Sequence, residues 1–366
     1  MPKILRLNLA VDHKLPYDLV ASVEGIFSRS LNEVYYENIN LKGMQENGGL
    51  TPGGKLVGEN REVWGTISPT TGAYITRGVR VNNQFTAVYL VKNTNKGSNA
   101  NIIVQLQRQS ALDGFYANLA YTWGLARDIG GVNSATASSG WRWNPSRGNP
   151  NDPVLAYADG DRTHRIFGTV SYRLEWGWYG LATTVGLFYN GLSGRPFSYM
   201  ISGDVNGDGL TDNDLAYIPK DANDIILVTS AGVVLPKTDA AYSELMNYID
   251  SDDYLKNNKG KIAERNAARS PWSDQIDLRI TQDIPSFSGH KMELTFDILN
   301  VANFINKEWG WVRLASETPL LTFHSVQPTG TDAGKPRYRW LPFSDPAKPS
   351  NLASRWQAQM GIRYTF

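Results

Sequence analysis

Arg355-Trp356-Gln357-Ala358-Gln359-Met360-Gly361-Ile362-Arg363-Tyr364-Thr365-Phe366 ends the chain. Trp356, Ala358, Met360, Ile362, Tyr364 and Phe366 are apolar or aromatic, and Arg355, Gln357, Gln359, Gly361, Arg363 and Thr365 alternate with them. A side-chain period of two is that of a β-strand, and this one has one face fit for lipid and one fit for water. A half-buried strand of a soluble sandwich would show the same pattern. The rest of the chain decides between them.

Eight further segments alternate in the same way. Leu5, Leu7, Leu9 and Val11 oppose Arg6, Asn8 and Asp12; Leu19, Ala21, Val23 and Phe27 oppose Ser22 and Glu24. Ile102, Val104 and Leu106 oppose Gln105 and Gln107; Phe115, Ala117, Leu119, Tyr121, Trp123 and Leu125 oppose Asn118 and Thr122. Ile166, Val170, Tyr172 and Leu174 oppose Thr169, Ser171 and Arg173; Leu181, Val185, Leu187 and Tyr189 oppose Thr184 and Asn190. Ile276, Leu278 and Ile280 oppose Gln275, Asp277 and Arg279; Met292, Leu294, Phe296 and Ile298 oppose Glu293, Thr295 and Asp297. The apolar faces carry no charge through their middles. A charge there would cost about 2–4 kcal/mol at mid-bilayer, whereas polar groups turned into a dry soluble core would each need a partner.

The connections alternate short and long. Short ones lie near His13–Asp18, Ser110–Gly114, Glu175–Gly180 and Pro285–His290; long ones run about Ser28–Ala100, Ala126–Thr163, Gly191–Trp272 and Val301–Leu352. Short turns on one side and long loops on the other are the habit of outer-membrane barrels. The expectation is therefore an all-β fold: one unit over 1–366, an antiparallel transmembrane β-barrel portion of about nine long strands, with short periplasmic turns and long extracellular loops, in the bacterial outer membrane. Bacterial single-chain barrels have even strand counts, so the barrel is expected to be incomplete and to fold poorly alone.

Composition agrees. A net charge of +1 gives no pull toward nucleic acid. Without cysteine there is no disulfide framework and no thiolate metal site. No apolar run is long enough for a transmembrane helix. Met1-Pro2-Lys3-Ile4-Leu5-Arg6 carries no signal peptide and enters a strand directly, as an internal start or fragment boundary would.

Several motifs carry a family likeness: Val11-Asp12-His13-Lys14-Leu15-Pro16, Tyr35-Tyr36-Glu37-Asn38-Ile39-Asn40, Asn93-Thr94-Asn95-Lys96-Gly97, Tyr189-Asn190-Gly191-Leu192-Ser193-Gly194-Arg195-Pro196-Phe197, Glu264-Arg265-Asn266-Ala267-Ala268-Arg269 and Phe296-Asp297-Ile298-Leu299-Asn300-Val301-Ala302-Asn303. Together they resemble the carboxyl-terminal barrel of Oar-like TonB-dependent receptors of Bacteroidetes-type bacteria, over nearly the whole chain. The resemblance implies a plugged barrel of about 22 strands in the complete protein and energised uptake of a bulky nutrient. It also implies the partners: outer-membrane lipid, the missing amino-terminal strands and plug, TonB through that plug, and the barrel-assembly machinery through the last strand ending at Phe366. The chain departs from the family in having about nine strands, no plug and no TonB box.

Candidate chemistry is concentrated in Asp204-Val205-Asn206-Gly207-Asp208-Gly209-Leu210-Thr211-Asp212, which follows the D-x-N-x-D-G-x-x-D calcium-loop pattern. Side-chain oxygens of Asp204, Asn206, Asp208 and Asp212 and the carbonyl of Leu210 would surround Ca²⁺, and Gly209 permits the turn. At the twelfth position, where a bidentate Glu is usual, stands Leu215, with Asp214 one residue early. An Asp/Asn/Gly-rich surface turn is the competing account. His13, His164, His290 and His324 are scattered. Only His164, beside Asp159 and Asp161, is placed for an Asp/His pair, and a structural rim network accounts for it better; no catalysis is expected. Trp141, Trp143, Trp309, Trp311 and Trp340 would pack loops or girdle the membrane. Asp277, Arg279, Glu293, Asp297, Arg355 and Arg363 face the lumen and would pair with one another or touch a plug or substrate. In the third long loop, Thr238-Asp239 would cap a short helix whose Ala241, Leu245 and Tyr248 share a face packed on its own loop. Transport leads these readings. A surface adhesion or structural role, with calcium-stiffened extracellular loops, is the alternative.

Overall fold

The computed structural model describes residues 1–108, 113–130, 134–177, 180–286, 289–315, 317–342 and 349–366. Each of the nine alternating segments is a strand: β1 (Lys3–Leu15), β2 (Leu19–Asn38), β3 (Ser98–Arg108), β4 (Phe115–Asp128), β5 (His164–Glu175), β6 (Ala182–Leu192), β7 (Ser273–Pro285), β8 (Lys291–Leu299) and β9 (Gln357–Thr365). They pair antiparallel in chain order as one meander. The register keeps like with like. Val11 faces Val23, Val23 faces Val104, and Val104 faces Tyr121. Farther along, Val170 faces Leu187, Leu187 faces Leu278, and Leu278 faces Ile298. A slip of one residue would turn every such side chain to the other face, so the hydrophobic pattern sets this register.

The apolar face is bare. Leu7 is 58% exposed, Leu119 57% and Ile362 76%. A soluble sandwich would have covered this face, and a contiguous apolar surface of this extent marks contact with a partner or a membrane. The inward face carries cross-strand ion pairs. Arg279 forks onto Asp297, with Nε–Oδ1 at 2.6 Å and Nη2–Oδ2 at 2.9 Å, and Arg363 lies 3.6 Å from Glu293. Asp277 accepts a hydrogen bond from the Asn300 amide at 2.7 Å. The sheet is open, with β1 and β9 as its edges among the described residues.

Between β1 and β2 the chain turns at Pro16-Tyr17-Asp18, and Tyr17 and Asp18 both take left-handed φ, the twist a tight hairpin needs. The other three short turns fall partly on residues outside those described. The first long connection is shorter than its composition suggests. β2 continues to Asn38 because Glu33–Asn38 finds a second partner in Tyr89–Thr94.

The largest departure from expectation is in the long connections. Their Gly, Asn, Ser and Pro content predicts exposed coil. Instead they fold into a cap with its own hydrophobic core. Leu50, Leu56, Val63 and Ile67 come from the first connection; Tyr199, Ile201, Ile218 and Leu227 from the third; Leu320, Leu321, Val326 and Tyr338 from the fourth. A mixed four-stranded sheet joins the last two, with Tyr199–Ser202 parallel to Thr318–Val326 and Ile226–Leu227 parallel to Pro336–Arg339. The third connection's helix is Ala240–Ser251, capped by Asp239, whose carboxylate accepts from the Ala241 amide at 2.9 Å. Its buried face is Tyr242, Leu245 and Ile249, with Ala241 and Tyr248 at the margin. The helix therefore packs into the shared core and not merely onto its own loop.

Candidate functional site

The Asp204–Asp214 segment is anchored in this cap at both ends and reaches its surface at Gly209–Asp212. Asp204, Asn206, Asp208, Asn213 and Asp214 are all buried. The Asp208 amide donates to Asp204 Oδ1 and to Asn206 Oδ1, both at 3.0 Å, and the Gly209 amide donates to Asp204 Oδ2 at 3.0 Å. The Leu210 amide donates to Asp208 Oδ1 at 2.8 Å. Short Asx side chains thus wind the backbone around their own oxygens, and Gly207 and Gly209 supply the left-handed φ the winding needs.

The structure brings some of the expected ligands together and engages others elsewhere. Asp204, Asn206 and Asp208 converge. Asp212 is engaged from outside, its Oδ2 accepting from Arg142 Nη2 at 3.0 Å, while its Oδ1 is buried without a partner. The Leu210 backbone contributes an N–H to Asp208 within the winding. Asn213, which the motif does not single out, takes the open place. Its Nδ2 donates to Asp208 Oδ2 at 2.9 Å, beside Asn206 Nδ2 at 3.0 Å, and its Oδ1 is buried without a partner. Asp214 points inward to Arg61, 3.3 Å away. Among the described residues no three His, Cys, Asp or Glu side chains are grouped to hold a metal ion; the converging set is two carboxylates and two amides.

Burial, with the neighbouring Asp208 carboxylate, pushes the Asp204 carboxyl up to about 7. Burial raises Asp208 as well, against the pull of the Asn213 and Asn206 amides. Only Arg77, half exposed, pairs with Asp204 at 3.1 Å, and among the described residues no cation pairs with Asp208.

A second node holds the winding in place. Arg61 is fully buried. It meets Glu59 at 3.1 Å and Asp214 at 3.3 Å and donates to the Leu215 carbonyl at 2.6 Å. The Tyr338 hydroxyl donates to Glu59. Residues from the first, third and fourth connections thereby meet at one guanidinium. No local pattern announces this node, because Asp214 and Tyr338 lie far along the chain from Glu59 and Arg61.

The Glu264–Arg269 motif is the seam between cap and sheet. Arg265 Nη2 meets Asp128 Oδ1 at 2.6 Å, and Arg269 Nη2 meets Asp161 Oδ2 at 2.6 Å. Asn266, in the left-handed region, donates to Asp159 at 2.7 Å and to the Tyr157 carbonyl at 2.8 Å. Asp159 and Asp161 are thus held by Asn266 and Arg269, while His164 bonds the Tyr121 hydroxyl at 2.8 Å. No Asp/His pair forms there. Across the seam Phe197 faces Ala268, and Gly194 packs so closely that a Cβ would sit 1.5 Å from the Ser270 carbonyl oxygen. Gly194→Ala should force this strand pair apart and destabilise the cap by about 3 kcal/mol; faster protease cleavage within 196–272 at unchanged strand protection is the readout. The tryptophans divide. Trp141 is buried with Leu41 and Trp64, and Trp340 packs on the main cap core. Trp143 is half exposed beneath the Arg142 guanidinium, and Trp309 is exposed.

A family model described as an outer membrane beta barrel domain matches residues 1–308. The chain belongs to this outer membrane beta barrel family. The match spans β1 to β8, eight of the nine strands seen here, and the protein resides in the bacterial outer membrane. No curated protein matches the chain. Within this barrel family the bare apolar face is the lipid-facing surface and the paired charges line the inside.

Proposed function

We propose that the protein is the carboxyl-terminal part of a TonB-dependent outer-membrane receptor, taking up a bulky nutrient in concert with further strands and a plug. The observation that carries this reading is the open sheet. Backbone groups on the free edges of β1 and β9 would each cost several kcal/mol in hydrocarbon, so the edges call for more strands of the same barrel. The polar inward face fits a lumen that holds a plug. On this reading the cap lies outside the cell, the short turns lie in the periplasm, and β9 with Phe366 is the segment handed to the barrel-assembly machinery. No catalytic step is part of the proposal.

The test is cross-linking in the native membrane. A tagged copy, solubilised after cross-linking, should carry the additional barrel strands and a polypeptide joined to TonB. A chain that refolds in detergent as a closed, heat-modifiable monomer, with no TonB adduct in cells, would overturn the reading and leave the adhesive alternative.

We further propose that the cap holds Ca²⁺ between Asp204, Asn206, Asp208 and Asn213. The support is a buried pair of carboxylates with too little positive charge. The Asn213 Oδ1 is buried without a hydrogen-bond partner, and the Asn206 Oδ1, which accepts from the Asp208 amide, keeps a second lone pair. Ca²⁺ would supply the missing charge and join the winding to the cap core.

A further inference from the structure

The lumenal side beneath the cap gathers three arginines that pair with no carboxylate among the described residues. Arg162, Arg165 and Arg195 line one cavity of 420 Å³ with Asn99, Asn101, Thr122 and a single carboxylate, Asp161. Arg165 faces Thr122 across β4 and β5, and Asn101 faces Gly124 across β3 and β4. Arg165, Thr122 and Asn101 lie on the inward face near the end of the sheet that meets the cap, and Arg162 and Arg195 sit on the connections just beyond the strand ends.

Arg269, at the edge of this group, is neutralised by Asp161 at 2.6 Å. The other three are not. Among the described residues no carboxylate comes within ion-pair distance of Arg162, Arg165 or Arg195, and Arg162 reaches only the Ser193 carbonyl. Burial and the neighbouring Arg195 and Arg269 hold the Arg162 guanidinium below its usual range. The whole chain carries a net charge of only +1, so three unbalanced guanidinium groups on one cavity are a local excess. Like charges held together this way destabilise one another unless something negative sits between them.

The chemistry selects the ligand. Guanidinium forks match the paired oxygens of phosphate and carboxylate. Asn99 and Thr122 add donors beside the guanidinium groups, and Asn101 Nδ2, donating to Asn99 Oδ1 at 2.8 Å, leaves the Asn99 amide nitrogen as the donor. A cationic solute is repelled, and a neutral one leaves the excess charge standing. We propose that this cavity binds an oligoanionic solute, bearing phosphate or carboxylate groups, on its path through the lumen. The proposal rests on the uptake reading for its purpose but not for its existence.

The protein, purified from outer membranes in nonionic detergent with whatever polypeptide accompanies it, would be titrated by calorimetry with pyrophosphate and, in parallel, glucose. Pyrophosphate should bind, more weakly as salt rises, and glucose should not. Arg165→Gln and Arg195→Gln should each weaken binding about tenfold. Both side chains are exposed, so these variants leave the fold intact, as unchanged heat-shifted mobility would confirm. Arg165→Lys should restore part of the loss, keeping charge without the fork. No pyrophosphate heat with the wild-type protein, or wild-type affinity in both Gln variants, overturns the site. Pyrophosphate binding without any TonB adduct would remove the uptake reading and leave the site standing.

Discussion

Arg61→Ala should open the cap to protease on intact cells while the nine strands stay protected. The substitution leaves Glu59 and Asp214 buried without their shared cation and frees the Leu215 carbonyl. Breaking a buried ion pair by removing one partner typically costs about 3–5 kcal/mol, enough to unfold a cap this size. Arg61→Met should be nearly as damaging, because shape is kept but charge is not. Adding Glu59→Gln and Asp214→Asn to Arg61→Met should recover much of the loss, since no bare carboxylate then remains. Protease added outside should cut within 39–97 and 196–272, and heat-modified mobility should report the strands. An Arg61→Ala cap as resistant as the wild type would mean that the node is dispensable. Cleavage of the unopened cell only at the short turns would reverse the orientation.

Calcium should protect the same cap, and chelator should remove the protection. Without a bidentate Glu the site should be weak, with half-saturation on the order of 10⁻⁴–10⁻³ M. Asp208→Ala removes the carboxylate on which both amides converge and should abolish the calcium effect. Asp212→Asn separates the structure from the motif. Asp212 is turned to Arg142, so its loss should leave calcium protection unchanged, whereas the simple sequence pattern makes it a ligand. Asn213→Leu should mimic Asp208→Ala. Equal cleavage of the 203–219 segment with calcium and with chelator, in wild type and Asp208→Ala alike, would leave an Asx-wound turn and nothing more.

These expectations show where sequence was sufficient. The barrel strands were legible because lipid imposes a period of two on every one of them. Leu187 is apolar for the same reason as Leu278 and Ile298 beside it, and no distant information is needed to see it. The cap was not legible. Leu56, Val63, Tyr199 and Tyr338 follow no period, and they sit among Gly, Asn and Pro that signal turns. Their burial depends on segments that meet only after the strands are in place. The Asp204 loop was legible as a pattern of oxygens, because its Asx side chains bond their own near neighbours. Which oxygens stay was not, because Arg142 engages Asp212 from outside and Arg61 draws Asp214 inward from elsewhere in the chain. The Glu264–Arg269 motif stood out in the sequence, but its role as the seam needed Asp128 and Asp161 to be seen beside it.

The parallel pairing of Tyr199–Ser202 with Thr318–Val326 sets an order of events. Those strands belong to different connections, and the Tyr338–Glu59 contact joins the last connection to the first. Contacts of such long sequence separation are slow to form, since loop closure must precede the gain. The cap core therefore cannot be completed until every hairpin has crossed the bilayer and the final connection has emerged. Until then each loop must travel as open chain, which is a use for the Gly- and Asn-rich composition that conceals the cap. Biogenesis would pass through a stage in which the sheet is inserted and its lid is still unstructured, and pulse-labelled cells should show strand protection well before cap protection.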